Sequence, residues 1–208
     1  MKLYVWETEK HMQVNEFHVD SIEDFRVFWR DLQDKYMGFK IDFCYKKRPV
    51  PVDLMLEINA EILESCIETR LAKENFKPVY EYELTLVTKE NFAEFAALHD
   101  KAHPETSGMY WTSERINKDL SSWLIYMYEN NYILAKIRDD ELEFYAVEAT
   151  ERRIGETLIS KVAEYALKVG KSSILAMVED GASEELAMYL SVGFVPCGKY
   201  IAYQTVIE

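Results

Sequence analysis

The chain has little cysteine, and the thiols it has are not arranged for cross-linking or metal binding. Its 208 residues include only three cysteines, Cys44, Cys66 and Cys197, and no Cys-x-x-Cys pair. An odd and sparse set excludes a disulfide scaffold and a cysteine-based zinc site. Buried free thiols in a reducing compartment are the ordinary outcome, so we expect a cytoplasmic protein.

Long apolar runs and positive charge are also scarce. No stretch is long and apolar enough to cross a bilayer, and the charged, alternating segment 1–10 does not read as a signal peptide. Lysine and arginine number 24 against 37 acidic residues, a net charge of −13. Such a surface repels phosphate backbones and anionic membranes, which argues against nucleic-acid and membrane partners, and it attracts cationic ligands such as amines.

The sequence does contain a regular alternation of strand-like and helix-like segments in its second half. Three strands joined by tight turns precede a helix with apolar residues at helical spacing, and a buried strand, a second helix and a final strand follow. In order, these segments are 123–128, 132–137, 142–147, 154–169, 173–178, 182–192 and 200–206. Nearly half of all residues are apolar, which indicates a globular rather than a disordered protein.

The segment Arg152-Arg153-Ile154-Gly155-Glu156-Thr157 joins the third strand to the first of these helices. A helix N-terminus offers unpaired N–H donors and partial positive charge, and a glycine there permits close approach of a ligand. Two arginines add charge that suits a diphosphate. The segment therefore predicts a pyrophosphate site, although an ordinary helix start with two solvated arginines has the same pattern.

Three motifs in this order resemble the GNAT superfamily of acyl-coenzyme A-dependent N-acetyltransferases. They are Glu141-x-x-Phe144-x-Ala146-Val147, Arg152-x-x-Gly155-x-Thr157 and Tyr189-x-x-x-Gly193-Phe194, spread over a region of similarity at 80–208. The resemblance implies an α/β (α+β) fold with a mixed, mainly antiparallel sheet flanked by helices. It also implies acetyl-coenzyme A as co-substrate, a primary amine of a small molecule or peptide as acceptor, and a homodimer as one compatible assembly.

The resemblance also implies roles for individual residues. Glu141 matches the base that deprotonates the amine, with Glu143 and Glu148 as alternatives, although Glu141 also belongs to an acidic turn. Tyr189 matches the acid at the departing thiolate, or else a tyrosine that only packs on the sheet. The backbone at Ala146 and Val147 would polarise the thioester, and the helix start at 152–157 would hold the diphosphate.

Three positions depart from the family pattern. Ala182 stands where the family often has an asparagine that binds the pantetheine arm, Glu156 places negative charge near the diphosphate, and Thr157 replaces a small residue. These departures keep a second function open, a non-catalytic acyl-coenzyme A-binding or interaction protein built on a degenerate GNAT fold.

Residues 1–79 form a separate problem. A helix start at Ser21, a strand over 41–45, a long helix over 52–73 and a strand over 80–87 are expected. Asn75-Phe76-Lys77-Pro78 also resembles Gly193-Phe194-Val195-Pro196. The segment therefore reads either as a degenerate GNAT-like half-domain without a cofactor site or as an unrelated α/β extension, followed by the acetyltransferase domain at 80–208.

The acceptor side in this fold would lie at about 91–120. His99 and His103 have the i, i+4 spacing of a metal pair, but no third ligand motif accompanies them, so we expect no metal site. Tyr110 and Trp111 would either cover an acceptor or pack on the N-terminal part.

Overall fold

The fold is given by a computed structural model, which describes residues 2–15, 17, 19–45, 51–104 and 110–208. The chain divides into two compact units, one made of Met1–Ile67 with Gly198–Glu208 and the other of Glu68–Cys197. The change of unit therefore falls before the boundary expected at residue 80, and the end of the chain belongs with the first unit.

The first unit is a small sheet with helices on one face. Its elements are β1 (Lys2–Trp6), β2 (His11–Asn15), α1 (Ile22–Tyr36), β3 (Lys40–Tyr45), α2 (Val52–Glu57) and part of the last strand, β10 (Val195–Val206). The strand order is β1-β2-β3-β10, with β2 and β3 parallel. As expected, Ser21 begins α1, because its hydroxyl accepts a hydrogen bond from the Asp24 N–H.

The long helix expected over 52–73 is wrong. The chain forms the short helix α2, turns at Asn59, which has a positive φ of 51°, and continues as strand β4 (Glu61–Arg70). The apolar spacing that suggested a helix is overridden by this left-handed turn and by β-branched residues such as Ile62 and Ile67, which favour a strand. The strand expected over 80–87 is also much shorter, and only β5 (Thr85–Leu86) forms there.

The second unit contains the strands and helices expected from residue 123 onward, preceded by two further helices. They are α3 (Phe92–Ala102), α4 (Ser113–Lys118), β6 (Trp123–Tyr128), β7 (Asn131–Ile137), β8 (Glu141–Glu148), α5 (Arg152–Lys168), β9 (Ser173–Glu179) and α6 (Ser183–Val192). The strand order is β4-β9-β8-β7-β6-β5, where β4 contributes only its last residues, 68–70, to this unit. Strands β8 and β9 are parallel, while β5 to β8 pair antiparallel. The mixed, mainly antiparallel sheet flanked by helices is confirmed.

The two faces of this sheet carry different cores. Along β7, Ile133 and Ala135 pack in the cluster formed with α5 and α6, whereas Tyr132 and Leu134 pack in the cluster formed with α3 and α4. This alternation follows from the two-residue period of a strand. Helices therefore cover both faces of the sheet at β7.

The two similar Phe-x-Pro segments are in contact with one another and are not equivalent copies. Asn75 ends a single 3-10 turn (Lys73–Asn75) after strand β4, whereas Gly193 follows the α-helix α6, and the Asn75 carbonyl oxygen would overlap a Cβ placed on Gly193. The N–H of Lys77 donates to the Val192 carbonyl at 2.9 Å, at the end of α6. Gly193, with φ of 107°, is therefore required both for the left-handed turn and for this close approach.

Candidate active site

The start of α5 offers free backbone donors. The N-cap residue Glu151 makes no side-chain hydrogen bond to the first turn. The first backbone bonds of the helix are those from the N–H groups of Ile154 and Gly155 to the Glu151 carbonyl, at 3.1 and 3.2 Å. The N–H groups that precede them have no partner within the helix, which is the usual setting for an anion site.

The two arginines of this turn share one buried carboxylate. Arg152 Nε and Arg153 Nη1 donate to the two oxygens of Glu156 at 2.8 and 2.9 Å, and the Glu156 side chain is 3% exposed. Burial alone would raise the pKa of Glu156, but interactions with Arg152, Ser191 and Arg153 outweigh it and the pKa is lowered. About half of each arginine side chain stays exposed, so the guanidinium groups face solvent while Glu156 partly offsets their charge.

The other side chains of the predicted loop point into the protein. Ile154 belongs to the core, and the Thr157 hydroxyl donates to the Arg153 carbonyl at 2.9 Å. A Cβ on Gly155 would overlap the Met188 sulfur on α6. The glycine is therefore explained by the close packing of two helices, whereas the sequence suggested that it gave a ligand access to the backbone.

A wedge opens between the ends of β8 and β9, which we define as Tyr145–Glu148 and Met177–Glu179. The parallel register of these strands runs from Glu141–Ser173 to Phe144–Ala176, and both strands continue beyond it. On its other edge β8 has a bulge at Tyr145, where the register with β7 shifts. Ala146 and Val147, the expected thioester contacts, therefore lie where β8 has left β9.

Tyr189 lies beside the wedge and is almost fully buried, with 1% of its surface exposed. Its ring packs edge-on against Phe144 and Phe194, with ring centroids 5.5 and 5.0 Å apart. Burial, together with the negative charge of Glu185, raises the pKa of Tyr189 well above its ordinary value. No described residue hydrogen-bonds to its hydroxyl, so a protonated donor is available there.

Three carboxylates surround the wedge, and the sequence motifs pointed to only one of them. Glu148 ends β8, Glu179 ends β9, and Glu185 lies on α6. Burial of Glu185, reinforced by the charges of Glu148 and Glu179, raises its pKa to about 7. Glu185 precedes Tyr189 by four residues, which puts both on one helix face, and this spacing is the signal that could have found it.

Solved structures share this arrangement of strands and helices. A GCN5-related N-acetyltransferase from Sphaerobacter thermophilus superposes with a TM-score of 0.72 at 13% identity, over 99% of this chain and 76% of that one. The chain has the GNAT fold. A tandem GNAT protein from the clavulanic acid biosynthesis pathway gives a TM-score of 0.67 at 11% identity, over 96% and 76% of the two chains.

A GCN5-related N-acetyltransferase from Kribbella flavida gives a TM-score of 0.62 at 13% identity, over 93% of this chain and 80% of that one. No protein-family model matches the sequence, and no curated protein matches it significantly. At such identities the likeness establishes the GNAT fold, and the chemistry has to be argued from the residues of this chain.

Within this GNAT fold, the expected base Glu141 is at the far end of β8 from the wedge. Its carboxylate accepts a hydrogen bond from the Ser173 hydroxyl at 2.9 Å and lies 3.9 Å from an Arg70 nitrogen. Glu148 lies seven positions further along the strand, roughly 23 Å away at the usual strand rise. The alternative Glu143 is held by Arg138 and the Tyr145 hydroxyl, each at 2.8 Å.

The two histidines lie behind Glu148 on the α3 face of the GNAT sheet. His99 Nε2 is 2.7 Å from the Trp111 carbonyl, which can only accept, so Nε2 carries the proton and Nδ1 accepts from the Tyr132 hydroxyl at 3.0 Å. Burial lowers the pKa of both His99 and His103. His103 Nε2 is 3.3 Å from a Glu148 oxygen, but the angle does not make a hydrogen bond.

The aromatic pair expected to cover an acceptor is divided in its role. Trp111 packs edge-on against Trp123 and Tyr145, and the Lys136 ammonium lies 3.7 Å from the Trp111 ring centroid. Tyr110 is the more exposed of the two expected residues and lies against Arg115, whose guanidinium carbon is 4.1 Å from the Tyr110 ring centroid. Trp111 is therefore part of the packed support under the β8 bulge.

Other kinds of site are not apparent in the described part of the chain. No group of three or more His, Cys, Asp or Glu residues there could hold a metal ion. No helix among the described residues is long and apolar enough to span a membrane. A cavity of about 450 Å³ lies in the first unit, lined mainly by polar residues that include Gln33, Glu57 and Gln204, and it contains none of the expected site residues.

Proposed function

We propose that this protein transfers an acetyl group from acetyl-coenzyme A to a primary amine of a small molecule or peptide. The observation that carries the proposal is the wedge between β8 and β9, bordered by the uncapped start of α5 and by Tyr189, a buried residue whose hydroxyl has no hydrogen-bond partner among the described residues. A diphosphate, an extended thioester arm and a departing thiolate each find a suitable group there.

The chain's own groups fit the two ends of such a co-substrate. The free N–H groups before Ile154 and the exposed faces of Arg152 and Arg153 would bind the diphosphate. The backbone at Ala146 or Val147 would donate to the thioester oxygen as negative charge develops on it. When the amine nitrogen forms its bond to the carbonyl carbon and the C–S bond breaks, Tyr189 would give its proton to the sulfur.

A second candidate is a non-catalytic acyl-coenzyme A-binding or interaction protein. The observation that favours it is Glu156, whose buried carboxylate is bonded to both arginines that would meet the diphosphate. Ala182, at the N-cap of α6, has no side-chain amide that could bind a pantetheine arm. These two features weaken the co-substrate contacts and leave the wedge in place.

The first experiment measures acetyl-coenzyme A binding by calorimetry and thermal shift, since a ligand of the native state raises the melting temperature by mass action. We expect Arg153→Ala to weaken binding about ten-fold, because a charge-assisted contact to phosphate is lost. Lys168→Ala is the matched control, since it removes one positive charge from the last turn of the same helix. Equal effects of the two variants would place the diphosphate elsewhere.

A panel of primary amines with mass-spectrometric detection of the amide then separates the two candidates. Binding followed by amide formation supports the acetyltransferase. Binding with no amide from any amine supports the non-catalytic candidate, and no binding of acetyl-coenzyme A contradicts both.

A further inference from the structure

Glu185 is a half-buried carboxylate without a partner. Among the described residues, no hydrogen bond or ion pair involves its side chain, whereas Glu141, Glu143 and Glu156 each have close donors at 2.8 or 2.9 Å. Carboxylates removed from water are normally paired, because an unpaired buried charge is costly. A folded protein keeps such a group where a function requires it.

The position of Glu185 relates it to the reacting atoms of the proposed function. It lies one helical turn before Tyr189, on the same side of α6. Tyr189 is 99% buried, and its hydroxyl lacks a hydrogen-bond partner among the described residues. Glu185 and Tyr189 are therefore two neighbouring polar groups that are both free to bind a ligand. Glu148 and Glu179 end the two strands that form the wedge.

We propose that Glu185, and not Glu141, accepts the proton of the acceptor ammonium at the mouth of the wedge. This inference rests on the proposed acetyl transfer and adds the residue that starts it. An ammonium group is positively charged and is attracted by the three neighbouring carboxylates. It becomes a nucleophile only after losing a proton.

The groups facing Glu185 suit this role. Glu148 from β8, Glu179 from β9 and Tyr189 from its own helix interact with it electrostatically, and burial together with the two carboxylates raises the pKa of Glu185 to about 7. Behind Glu148 lie His99 and His103, both with lowered pKa values. From α5, Arg152 reaches the Ala187 carbonyl on α6 at 3.5 Å.

The protons balance as follows. One N–H bond of the ammonium breaks and its proton goes to a Glu185 oxygen and then to solvent. The nitrogen lone pair forms the C–N bond, the C–S bond breaks, and Tyr189 gives its proton to the sulfur. The second proton lost by the nitrogen restores Tyr189, so that amide and thiol are the products and one proton is released.

The test is the pH dependence of kcat/KM between pH 5 and 9 for the parent, Glu185→Gln and Glu141→Gln. We expect Glu185→Gln to lower kcat/KM at pH 8 about 100-fold, within the range for losing a general base. It should also remove the fall in rate on the acid side of pH 7. Its affinity for acetyl-coenzyme A should change less than about two-fold, because the glutamine keeps the shape of the side chain. Glu141→Gln should match the parent throughout.

Two results would overturn the assignment. One is a Glu185→Gln variant that melts like a folded protein and keeps the parent's rate and acid limb. The other is a Glu141→Gln variant that loses the acid limb, which would return the base to the far end of β8. In both cases the parent still acetylates, so the proposed function survives; a parent that binds acetyl-coenzyme A and acetylates nothing contradicts both proposals.

Discussion

The two ends of strand β8 carry carboxylates in opposite circumstances. At the first end, Glu141 accepts a hydrogen bond from Ser173 and lies near Arg70. Glu143 accepts hydrogen bonds from Arg138 and Tyr145. At the other end, Glu148 meets His103 without a hydrogen bond. Glu185, which faces that end, makes no hydrogen bond or ion pair with any described residue.

This difference separates a structural role from a chemical one. A carboxylate whose oxygens already accept hydrogen bonds from the protein has little capacity left to bind a substrate. A carboxylate crowded by like charges in a half-buried setting changes its protonation near neutral pH. The end of β8 next to the wedge is therefore the reactive end.

The largest effect expected at the reactive end comes from Tyr189→Phe, which keeps the packing of the ring and removes the hydroxyl. Turnover should fall roughly ten- to a thousand-fold, because a proton or hydrogen bond to the departing sulfur is lost in the transition state. Affinity for acetyl-coenzyme A, measured by calorimetry, should barely change. Tyr165→Phe on α5 is the control. Weaker binding at unchanged turnover would instead make the hydroxyl a contact to the bound co-substrate.

The free energy of unfolding should depend on pH through Glu185 at the reactive end. The pKa of Glu185 is raised to about 7 from 4.5, so the native state disfavours the charged form. The parent should therefore lose stability as the pH rises through this window. Glu185→Gln should lose none, and at pH 8 it should be more stable than the parent by about 1–3 kcal/mol, given about 1.4 kcal/mol per pKa unit and some screening by solvent.

Urea unfolding at pH 5 and pH 8 measures this difference without any ligand. Glu141→Gln is the control, and it should not gain stability at pH 8, since it removes a paired carboxylate. A Glu185→Gln variant that is equally stable relative to the parent at both pH values would show that its carboxylate is not held in an unfavourable charged state.

The smallest expected effect concerns Glu156, a paired carboxylate close to the reactive end. Glu156→Gln should remove the ion pairs of this carboxylate with Arg152 and Arg153, while Arg153 keeps its ion pair with Glu81 at 3.2 Å. Acetyl-coenzyme A binding should strengthen by about two- to ten-fold, because a negative charge near the diphosphate is removed. Calorimetry at low and at physiological salt checks this, and the gain should shrink as salt screens the charges. Weaker binding would mean that Glu156 is needed to position the arginines.

The sequence predicted the elements whose patterns are local. Strands β6 to β8 alternate or are continuously apolar, and α5 has a regular apolar stripe, so their bounds were close to those observed. The helix expected over 52–73 was wrong because the spacing of Met55, Ile58 and Ile62 fits a helix equally well, and spacing alone does not show the left-handed turn at Asn59 that ends the helix.

The candidate site was predictable only in part, for a similar physical reason. Arg152 and Arg153 are adjacent in sequence to a helix start, and Tyr189 is part of a motif. The environment of Glu185, by contrast, is set by residues 37 and 6 positions away at the ends of two strands, Glu148 and Glu179. Because the three carboxylates lie on three different elements, residue spacing within one element does not predict that they are close together.

The discontinuity of the first unit has a consequence for how the protein is made. Strand β3 pairs with Ile201–Val206 of β10, and these residues are synthesised only after the whole of Glu68–Cys197. Until then β3 presents an unpaired edge, which is a site where nascent chains associate with one another. We therefore expect that the second unit is completely synthesised, and can fold, before the first unit can form its last strand pair. Slow translation of the 3′ part of the coding sequence should then favour aggregation more than slow translation of the 5′ part.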